Sequence, residues 1–580
     1  GTGSVDLGDI SDATAINSFD ASDNSGGVTA TVETASTPLS GNISEYVFSS
    51  GGDDVTLDNS NTAMDTAITL GEGNDRVSLN GGTTSLGETI SGGAGTDFLA
   101  MDAADAADDA ASGNPGSFGG NISSFERLDL GEVAATTQNA VDLDNLDDID
   151  YVQTAGTADT AQVQDVVLSA TNADTVDAGQ VAIDVGGDTF TAGFNTDVGT
   201  TLGDLATAIA MDDRINMANY DTGTTTLTIT AEDGNAVEVG NLNNTLNMGG
   251  TARTISVTSI DTTSSELTLD NMADGGTVEF DGDGTPGSAN AGTIVNLDDA
   301  SGMDNSLNVD VSTNTDDQNI LAGTVIAPDV ETINVSAEDA FVDESPEDGE
   351  DDGTADHELA IGGNDVETIT VDGSSNLDLT AWSNSLENIN ASEMTGALTA
   401  STAGNGEETI TGGSGDDDLT ATGSQDTLQG GAGDDTLTGN NLTDLQGGAG
   451  NDTFVLNAPS NVNSFSSITD INSGDVIDFS SFVSDNGLGT PSFVSSDVDL
   501  AGTATFTDFA NEAVNTLADQ DDDFAWFQFG GDTFIVGNED QADATDANFE
   551  NGTDAIIQIV GTVDLSTASF NESSNTLEIA

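Results

Sequence analysis

A nine-residue pattern, Gly-Gly-x-Gly-x-Asp-x-apolar-x, is the part of the sequence best suited to chemistry. Complete copies begin at Gly92, Gly412, Gly430 and Gly447, and degenerate copies that keep the spacing begin at Ala403, Ala421 and Gly439. Glycine permits backbone conformations with positive φ, which leave carbonyl oxygens open to an ion. The carboxylate at the sixth position adds an anionic oxygen of the kind that calcium prefers. The pattern therefore predicts Ca²⁺ as the bound cofactor.

The predicted calcium ligands are the sixth-position carboxylates together with the glycines of the same turns. Between residues 403 and 455 the carboxylates recur every nine residues, with one final interval of eight, and chance hardly explains a run of that length. A looser copy near the amino end contributes Asp75, and a partial copy places Asp54 as a further candidate. The predicted site residues are Gly92, Gly93, Gly95, Asp97, Asp75, Glu408, Gly412, Gly413, Gly415, Asp417, Asp426, Gly430, Gly431, Gly433, Asp435, Asp444, Gly447, Gly448, Gly450 and Asp452.

The eighth positions of the repeats are apolar, and we expect them to point inward from short strands. Two nonapeptides form one coil, so the run predicts roughly three stacked coils with ions held between neighbouring turns. The eighth-position residues are Ile410, Leu419, Leu428, Leu437, Leu445 and Phe454.

Most of the remaining sequence shows the period-2 alternation of β-strands, punctuated by glycine-containing turns. An apolar residue followed by Glu and an alternating strand recurs at Phe125, Val330, Val366 and Leu386. The spacing of the last three suits coils of a parallel solenoid, although unrelated strands could share the pattern. One segment differs: Leu202, Leu205 and Ile209 follow a helical period, with Thr200 or Thr201 as the expected N-cap.

The predicted fold is mainly β, with parallel β-solenoid and calcium β-roll segments. The predicted organisation is an amino-terminal solenoid (1–160), an inserted α+β module (161–255), a β-rich solenoid (256–402), the calcium roll (403–456) and a β-rich carboxyl-terminal domain (457–580).

Composition excludes several functions. The chain has 105 acidic and only 4 basic residues, a net charge of −101, so it lacks the clustered cations that nucleic acids and anionic membranes require. Cysteine is absent, which excludes disulfides and thiolate metal sites. The single histidine, His357, lies in an acidic stretch from Asp343 to Glu358, and we expect it in an exposed loop without a chemical role.

At its nonapeptides the sequence resembles the repeats-in-toxin (RTX) superfamily of bacterial proteins exported by type I secretion. The segment Ile468–Phe479 resembles the strands that follow the roll in that group, and Ala525–Val536 with Thr553–Leu565 resemble the terminal domain of RTX-type surface-layer proteins. The resemblance implies export with an uncleaved carboxyl end and calcium-driven folding outside the cell, at the bacterial surface.

Three functional classes follow from these observations. The favoured hypothesis is a non-enzymatic extracellular protein that self-assembles with calcium into a surface layer or filament. A secreted adhesin that binds glycans, such as cell-surface polysaccharide, is the alternative, and a carbohydrate-active enzyme is a weaker one because aromatic residues make up only 5% of the chain. Sheet against filament, surface anchor, number of ions and possible processing stay open at this point.

Overall fold

The structure is a computed structural model, and it describes the following residues: 2–10, 19–33, 45–58, 67–80, 88–110, 118–132, 138–147, 149–155, 163–169, 175–176, 178–185, 188–209, 215–221, 225–231, 239–248, 251–252, 255–263, 266–280, 292–302, 304–312, 319–338, 356–363, 365–383, 385–402, 407–421, 425–440, 442–456, 465–480, 492–517, 524–537, 548–549 and 554–580. The start of the predicted copy at Ala403 and most of the acidic stretch around 343–355 lie outside them. These described residues are mainly β, and long sheets of parallel strands confirm the predicted fold class.

Two compact units divide the chain, one made mainly of residues 1–334 together with His357–Gly363 and one made mainly of residues 364–580. The first unit contains three parallel arrays. One comprises Val5–Asp9, Val28–Glu33, Asp54–Asp58, Arg76–Asn80, Phe98–Met101, Arg127–Glu132, Tyr151–Ala155, Thr277–Phe280 and Ser306–Asp310. The second comprises Phe19–Asp20, Glu45–Val47, Ala67–Glu72, Ile90–Ala94 and Ile122–Ser123. The third comprises Gln138–Asp142, Glu266–Met272, Gly292–Leu297, Leu321–Ile326 and Asp356–Gly362.

An α+β module stands between these strands in the sequence. Its antiparallel strands are Val163–Ser169, Gln180–Val185, Asp188–Gly193, Ile215–Asp221, Thr226–Ala231, Val239–Asn244, Asn247–Met248, Thr251–Ala252 and Ser256–Thr263. The helix Val198–Ile209 buries Leu202, Leu205 and Ile209 in the core of the module. The expected threonine cap is wrong, because Asp197 precedes the helix and its Oδ1 accepts a hydrogen bond of 2.7 Å from the Thr200 amide.

The second unit stacks short parallel strands on two sides and ends in antiparallel strands. One side contains Thr368–Gly373, Asn388–Met394, Thr409–Thr411, Thr427–Ala432, Asp444–Ala449 and Ser467–Ile468, joined by Ala555–Ile559, Asp532–Gly537 and Phe524–Phe529. The other contains Asn376–Trp382, Leu398–Thr402, Asp418–Ala421, Thr436–Gly439, Thr453–Leu456 and Val476–Asp478, followed by Thr576–Glu578 and Ser569–Asn571. One further strand is Thr332–Ala337.

The remaining helices are short. They are the α-helices Ala103–Asp109 and Phe506–Leu517 and the 3-10 helices Gly119–Asn121, Leu143–Asn145 and Leu565–Thr567. The longest described helices have 12 residues, and none has the length and apolarity needed to cross a bilayer.

Period-2 alternation produces the core of each stack. Successive side chains of a strand point to opposite faces, so every second residue faces inward and meets its equivalent in the next coil. In the first unit Val55, Val77 and Leu99 are paired in this way, and each is 0% exposed. Such ladders of apolar side chains hold the coils in register, because a slip of one residue would turn every apolar side chain outward.

The expectation that His357 lies in an exposed loop is wrong. His357 is the second residue of the strand Asp356–Gly362 and is 1% exposed, on the inward face that it shares with Leu359 and Ile361. Its Nδ1 accepts a hydrogen bond of 3.1 Å from the Ile320 amide of the neighbouring coil. The predicted acidic stretch runs to Glu358, whereas the strand begins at Asp356, so the first three residues of the strand were assigned to the loop.

We expect His357→Ala to destabilise the protein. The substitution leaves the buried Ile320 amide without its acceptor, which typically costs about 1–3 kcal/mol, and it opens a cavity. Urea unfolding in saturating calcium measures the change in midpoint, with the exposed neighbour Glu358→Ala as the matched control. Equal midpoints for the two variants would contradict the structural role of the imidazole.

Candidate calcium sites

The apolar eighth-position side chains of the nonapeptides point into the core of the second unit, as predicted. All six eighth-position residues are 0% exposed, which confirms their predicted direction: Ile410, Leu419, Leu428, Leu437, Leu445 and Phe454. Ile410, Leu428 and Leu445 stack on one side, and Leu419, Leu437 and Phe454 stack on the other. Each ladder fixes the position of the turn that precedes it.

The sixth-position carboxylates are buried two residues before these apolar side chains. Glu408, Asp417, Asp426, Asp435 and Asp452 are each 2% exposed or less. Ionised carboxylates are almost never buried without a partner, because removal from water disfavours the charged form. Their burial therefore requires compensation from the backbone, from a cation or from both.

The backbone satisfies one oxygen of each internal carboxylate. Asp435 Oδ1 accepts a hydrogen bond of 2.9 Å from the Asp417 amide, and Asp452 Oδ1 accepts one of 3.1 Å from the Asp435 amide. On the other edge Asp426 Oδ1 accepts the Glu408 amide at 3.1 Å. Each carboxylate thus binds the preceding coil, and the hydrogen bonds run from turn to turn along both edges of the roll.

The second oxygen of the internal carboxylates is available for a cation. Among the described residues, the buried Oδ2 atoms of Asp426, Asp435 and Asp452 find no hydrogen-bond partner. A methyl group placed on Gly430 would lie 2.2 Å from Asp435 Oδ2 and 2.6 Å from the carbonyl oxygen of Gly447. A carboxylate oxygen and a carbonyl oxygen therefore border a space that a side chain would fill, and oxygens of these two kinds are calcium ligands.

Carboxylates alone cannot complete these sites. Among the described residues, no group of three or more His, Asp or Glu side chains is arranged to hold a metal ion. Because calcium takes six to eight oxygens, backbone carbonyls of the glycine turns must supply the remaining protein ligands. Gly431 and Gly433, with φ of +120° and +127°, adopt the left-handed conformation that exposes such carbonyls. Gly448 and Gly450 share this conformation, with φ of +108° and +151°, whereas the predicted site residues Gly412, Gly413, Gly415 and Gly447 are not among the described glycines with positive φ.

The hydrogen-bonded sixth-position carboxylates form a row along each edge, which we call a carboxylate ladder. The carboxylates at the ends of these ladders differ from the internal ones. Asp417 accepts the Leu398 amide at Oδ1 and the Gly413 amide at Oδ2, each at 2.7 Å. Asp53, at the start of the amino-terminal ladder, accepts the Val28 amide at 2.6 Å and the Ser49 amide at 2.8 Å. The backbone thus occupies both oxygens at these ends, whereas internal carboxylates keep one oxygen for an ion.

Asp444 does not occupy the buried position that the spacing predicted. Its side chain is exposed and its carboxylate accepts a hydrogen bond from the Ser467 hydroxyl. Thr443, 0% exposed, lies two residues before the inward Leu445. It occupies the buried position in the carboxylate ladder that was predicted for Asp444. The short interval between repeats therefore falls between Asp435 and Thr443, and not between Asp444 and Asp452 as the sequence predicted.

A second ladder lies in the first unit, on the turns around Asp53, Asp75 and Asp97. The coils there are 22 residues long, with Asp75 Oδ1 accepting the Asp53 amide at 2.7 Å and Asp97 Oδ1 accepting the Asp75 amide at 2.8 Å. The Oδ2 atoms of Asp75 and Asp97 are buried without a hydrogen-bond partner. The predicted glycines Gly92, Gly93 and Gly95 border this turn. The arrangement fits calcium as the roll does.

Sequence reasoning missed three carboxylates that belong to the ladders. Asp53, 2% exposed, holds the position assigned to Asp54, which is exposed. Glu126 Oε2 accepts the Asp97 amide at 2.8 Å, and Asp475 Oδ1 accepts the Asp452 amide at 3.0 Å. A usable signal was present, since Asp53 and Asp475 each precede an inward apolar residue by two positions, as the repeats require.

Burial raises the pKa of several carboxylates in these ladders, at internal positions and at the end position Asp417. Desolvation raises the pKa of Asp75 and of Asp435 to about 7, with smaller contributions from neighbouring carboxylates, and that of Asp417 to about 6. The pKa values of Asp97 and Asp452 are raised for the same first reason. Burial thus makes these groups easier to protonate than in water, and we expect calcium and protons to compete for the same oxygens.

Comparison with known families agrees with this geometry. The RTX calcium-binding nonapeptide repeat matches residues 402–437 and 411–445, and no curated protein matches the chain. Residues 402–445 therefore contain RTX-type calcium-binding nonapeptide repeats, and these repeats bind Ca²⁺. The matched residues include the turns at Gly412 and Gly430 but not those at Asp75 and Asp97, whose calcium binding stays a prediction.

We expect Asp435→Asn to weaken calcium-induced folding, because the amide removes the anionic oxygen that faces the ion. The calcium concentration at the folding midpoint should rise by roughly tenfold or more, equivalent to about 1.4 kcal/mol. Circular dichroism during calcium titration measures the midpoint. Asp444→Asn is the matched control, since that side chain is exposed, and a shift as large as that of Asp435→Asn would contradict the assignment of Thr443 to the ladder.

Calcium dependence should be strongly pH-dependent. A carboxylate whose folded pKa is raised stabilises the calcium-free fold below its unfolded pKa of 3.8, and that contribution is lost as the pH rises towards 7. The calcium-free protein should therefore lose stability from pH 5 to pH 8, whereas calcium affinity should rise because the ligands are deprotonated. Urea midpoints at both pH values, with and without calcium, test this. Asp435→Asn should reduce the dependence, and an unchanged calcium effect at pH 5 would contradict it.

Proposed function

We propose that this protein is a non-enzymatic, exported structural protein that assembles with calcium into a layer or filament at the bacterial surface. RTX-repeat proteins are typically secreted, and calcium outside the cell would allow a chain exported without ions to fold after export. The observation that carries the proposal is the buried carboxylate ladder, present in both units, whose internal oxygens need a cation.

Electrostatics supports a role for calcium beyond the individual sites. The net charge is −101, and within the described part of the chain a single ion pair, Arg76 with Asp129, was found. Two such chains repel each other at close range unless cations neutralise them. A calcium-dependent assembly follows naturally, because the ions that fold each chain also lower the repulsion between chains.

The position of the only histidine supports a non-enzymatic role. General acid–base catalysis requires a group within reach of substrate, and His357 is 1% exposed with Nδ1 engaged by the Ile320 amide. This residue is therefore unsuited to the triad that a serine hydrolase would need. The proposal assigns the acidic residues to ion binding and to surface charge.

Assembly can be tested with the purified chain. On addition of millimolar calcium to dialysed protein, we expect β-structure to form first and large assemblies to sediment, with ordered arrays visible by electron microscopy. Chelation should release soluble subunits, and magnesium at the same concentration is the control, because its smaller shell fits glycine-turn carbonyls poorly. Folded, dispersed monomers at every calcium concentration would contradict self-assembly.

A further inference from the structure

In the first unit, the parallel array that begins with Val5–Asp9 carries a column of alternating cations and aromatic rings on its outward face. Arg76, Phe98, Arg127 and Tyr151 occupy paired positions in four neighbouring coils, and none of them is buried. The guanidinium carbon of Arg127 lies 5.2 Å from the centroid of the Phe98 ring and 4.0 Å from that of the Tyr151 ring. Both distances are within the range of cation–π contacts, so the two rings hold this guanidinium in place.

The guanidinium of Arg127 has no acidic partner within the part of the chain that the structure describes. Arg76 forms an ion pair with Asp129, whereas no described carboxylate pairs with Arg127 and no described oxygen accepts a hydrogen bond from its side chain. Arg76 and Arg127 are the only Lys or Arg side chains among the described residues, in a chain with 105 acidic residues. The N–H groups of Arg127 are therefore available to an acceptor outside the protein.

Hydrogen-bond acceptors lie in the column beside Arg127. Asp129, Gln153 and Glu279 are paired in register, one coil after the next. Asp129 binds Arg76, and Glu279 accepts a hydrogen bond of 2.6 Å from the Tyr151 hydroxyl. A carboxylate or amide oxygen has more than one lone pair, so these groups can also accept hydrogen bonds from hydroxyl groups of a ligand. The face thus combines one unpaired cation with acceptors and partly exposed rings.

We infer that this face binds a sugar chain that carries carboxylates, such as a polymer of uronic acid. Arg127 would bind a sugar carboxylate, because a guanidinium matches the two oxygens of a carboxylate with parallel hydrogen bonds. The sugar hydroxyls would donate to Asp129, Gln153 and Glu279, and the ring edges would contact its C–H groups, as in ligand sites that combine aromatic side chains with a few polar groups. This binding goes beyond the proposed function and does not depend on assembly.

The charges around Arg127 favour a sugar chain over an acidic segment of a second copy. Asp129 and Glu279 stand in the neighbouring column, and the whole chain has a net charge of −101. Like charges placed opposite each other oppose binding, so a dense run of acids from a second copy would be repelled there. A uronic-acid polymer separates its carboxylates by hydroxyl groups, which can donate to the same acids. A ligand with isolated carboxylates among hydroxyls therefore fits this face better.

Binding of a galacturonic acid hexamer to the calcium-folded protein, measured by isothermal titration calorimetry, tests the inference. Calcium can bridge an acidic protein and an acidic sugar, so all variants are compared at one calcium concentration. Arg127→Gln removes the unpaired cation. Arg253→Gln is the matched control, because it removes the same charge from another part of the sequence. A neutral glucose hexamer and a glutamate hexapeptide are the comparison ligands, and circular dichroism establishes that each variant folds.

We expect the parent and Arg253→Gln to bind the acidic hexamer equally, and Arg127→Gln to bind it at least roughly tenfold more weakly, because a charge-assisted pair is lost. Equal affinities of the parent and Arg127→Gln, or equal affinities of the parent for the acidic and neutral hexamers, would overturn the inference. Glutamate hexapeptide that binds as tightly as the acidic sugar would overturn it in favour of an acidic protein segment.

A second variant keeps the test decisive if Arg127→Gln fails to fold. Arg127→Lys keeps a cation near the rings but lacks the planar fork of the guanidinium. It should therefore bind the acidic hexamer more weakly than the parent does. Equal binding by the parent and Arg127→Lys would then contradict the role of the guanidinium.

Discussion

The buried carboxylates at the turns are the constraint on which the rest of the structure depends. Each internal carboxylate uses one oxygen to bind the amide of the preceding coil, as Asp435 does for Asp417, and leaves the other for a cation. The hydrogen bond alone does not compensate for loss of water around an ionised group, as the pKa of about 7 at Asp435 indicates. We therefore expect calcium to complete a turn that the backbone only half stabilises.

The length of a coil decides how many edges of the stack carry buried carboxylates. In the second unit coils of 18 or 17 residues contain two nonapeptides, so carboxylates stand on two edges, represented by Asp426 and by Asp435. In the first unit coils of 22 residues place Asp53, Asp75 and Asp97 on one edge. The end carboxylates Asp53 and Asp417 accept backbone hydrogen bonds at both oxygens, unlike the internal carboxylates.

This distribution of charge connects folding with assembly. Acids lie at turns and strand ends, where ions can neutralise them, and also at outward strand positions such as Asp372, Asp418 and Asp444. In the proposed function, charge repulsion keeps copies apart before ions bind, and calcium lowers that repulsion afterwards. The buried His357 fits a structural role in the same way, because its imidazole serves one coil-to-coil hydrogen bond.

The sequence by itself determined the chemistry and the repeat. Glycines, carboxylates and apolar residues at fixed spacing predicted calcium, the inward Leu428 and Leu437, and parallel coils, because these follow from local turn geometry and period-2 alternation. Tertiary structure decided which neighbouring residue enters the ladder: Thr443 rather than Asp444, and Asp53 rather than Asp54. It also placed His357 in the core and aligned Thr409 with Thr427 in neighbouring coils. Adjacent residues of a strand point to opposite faces, so a one-residue change in a loop exchanges them, and only the packing of the next coil determines which one is buried.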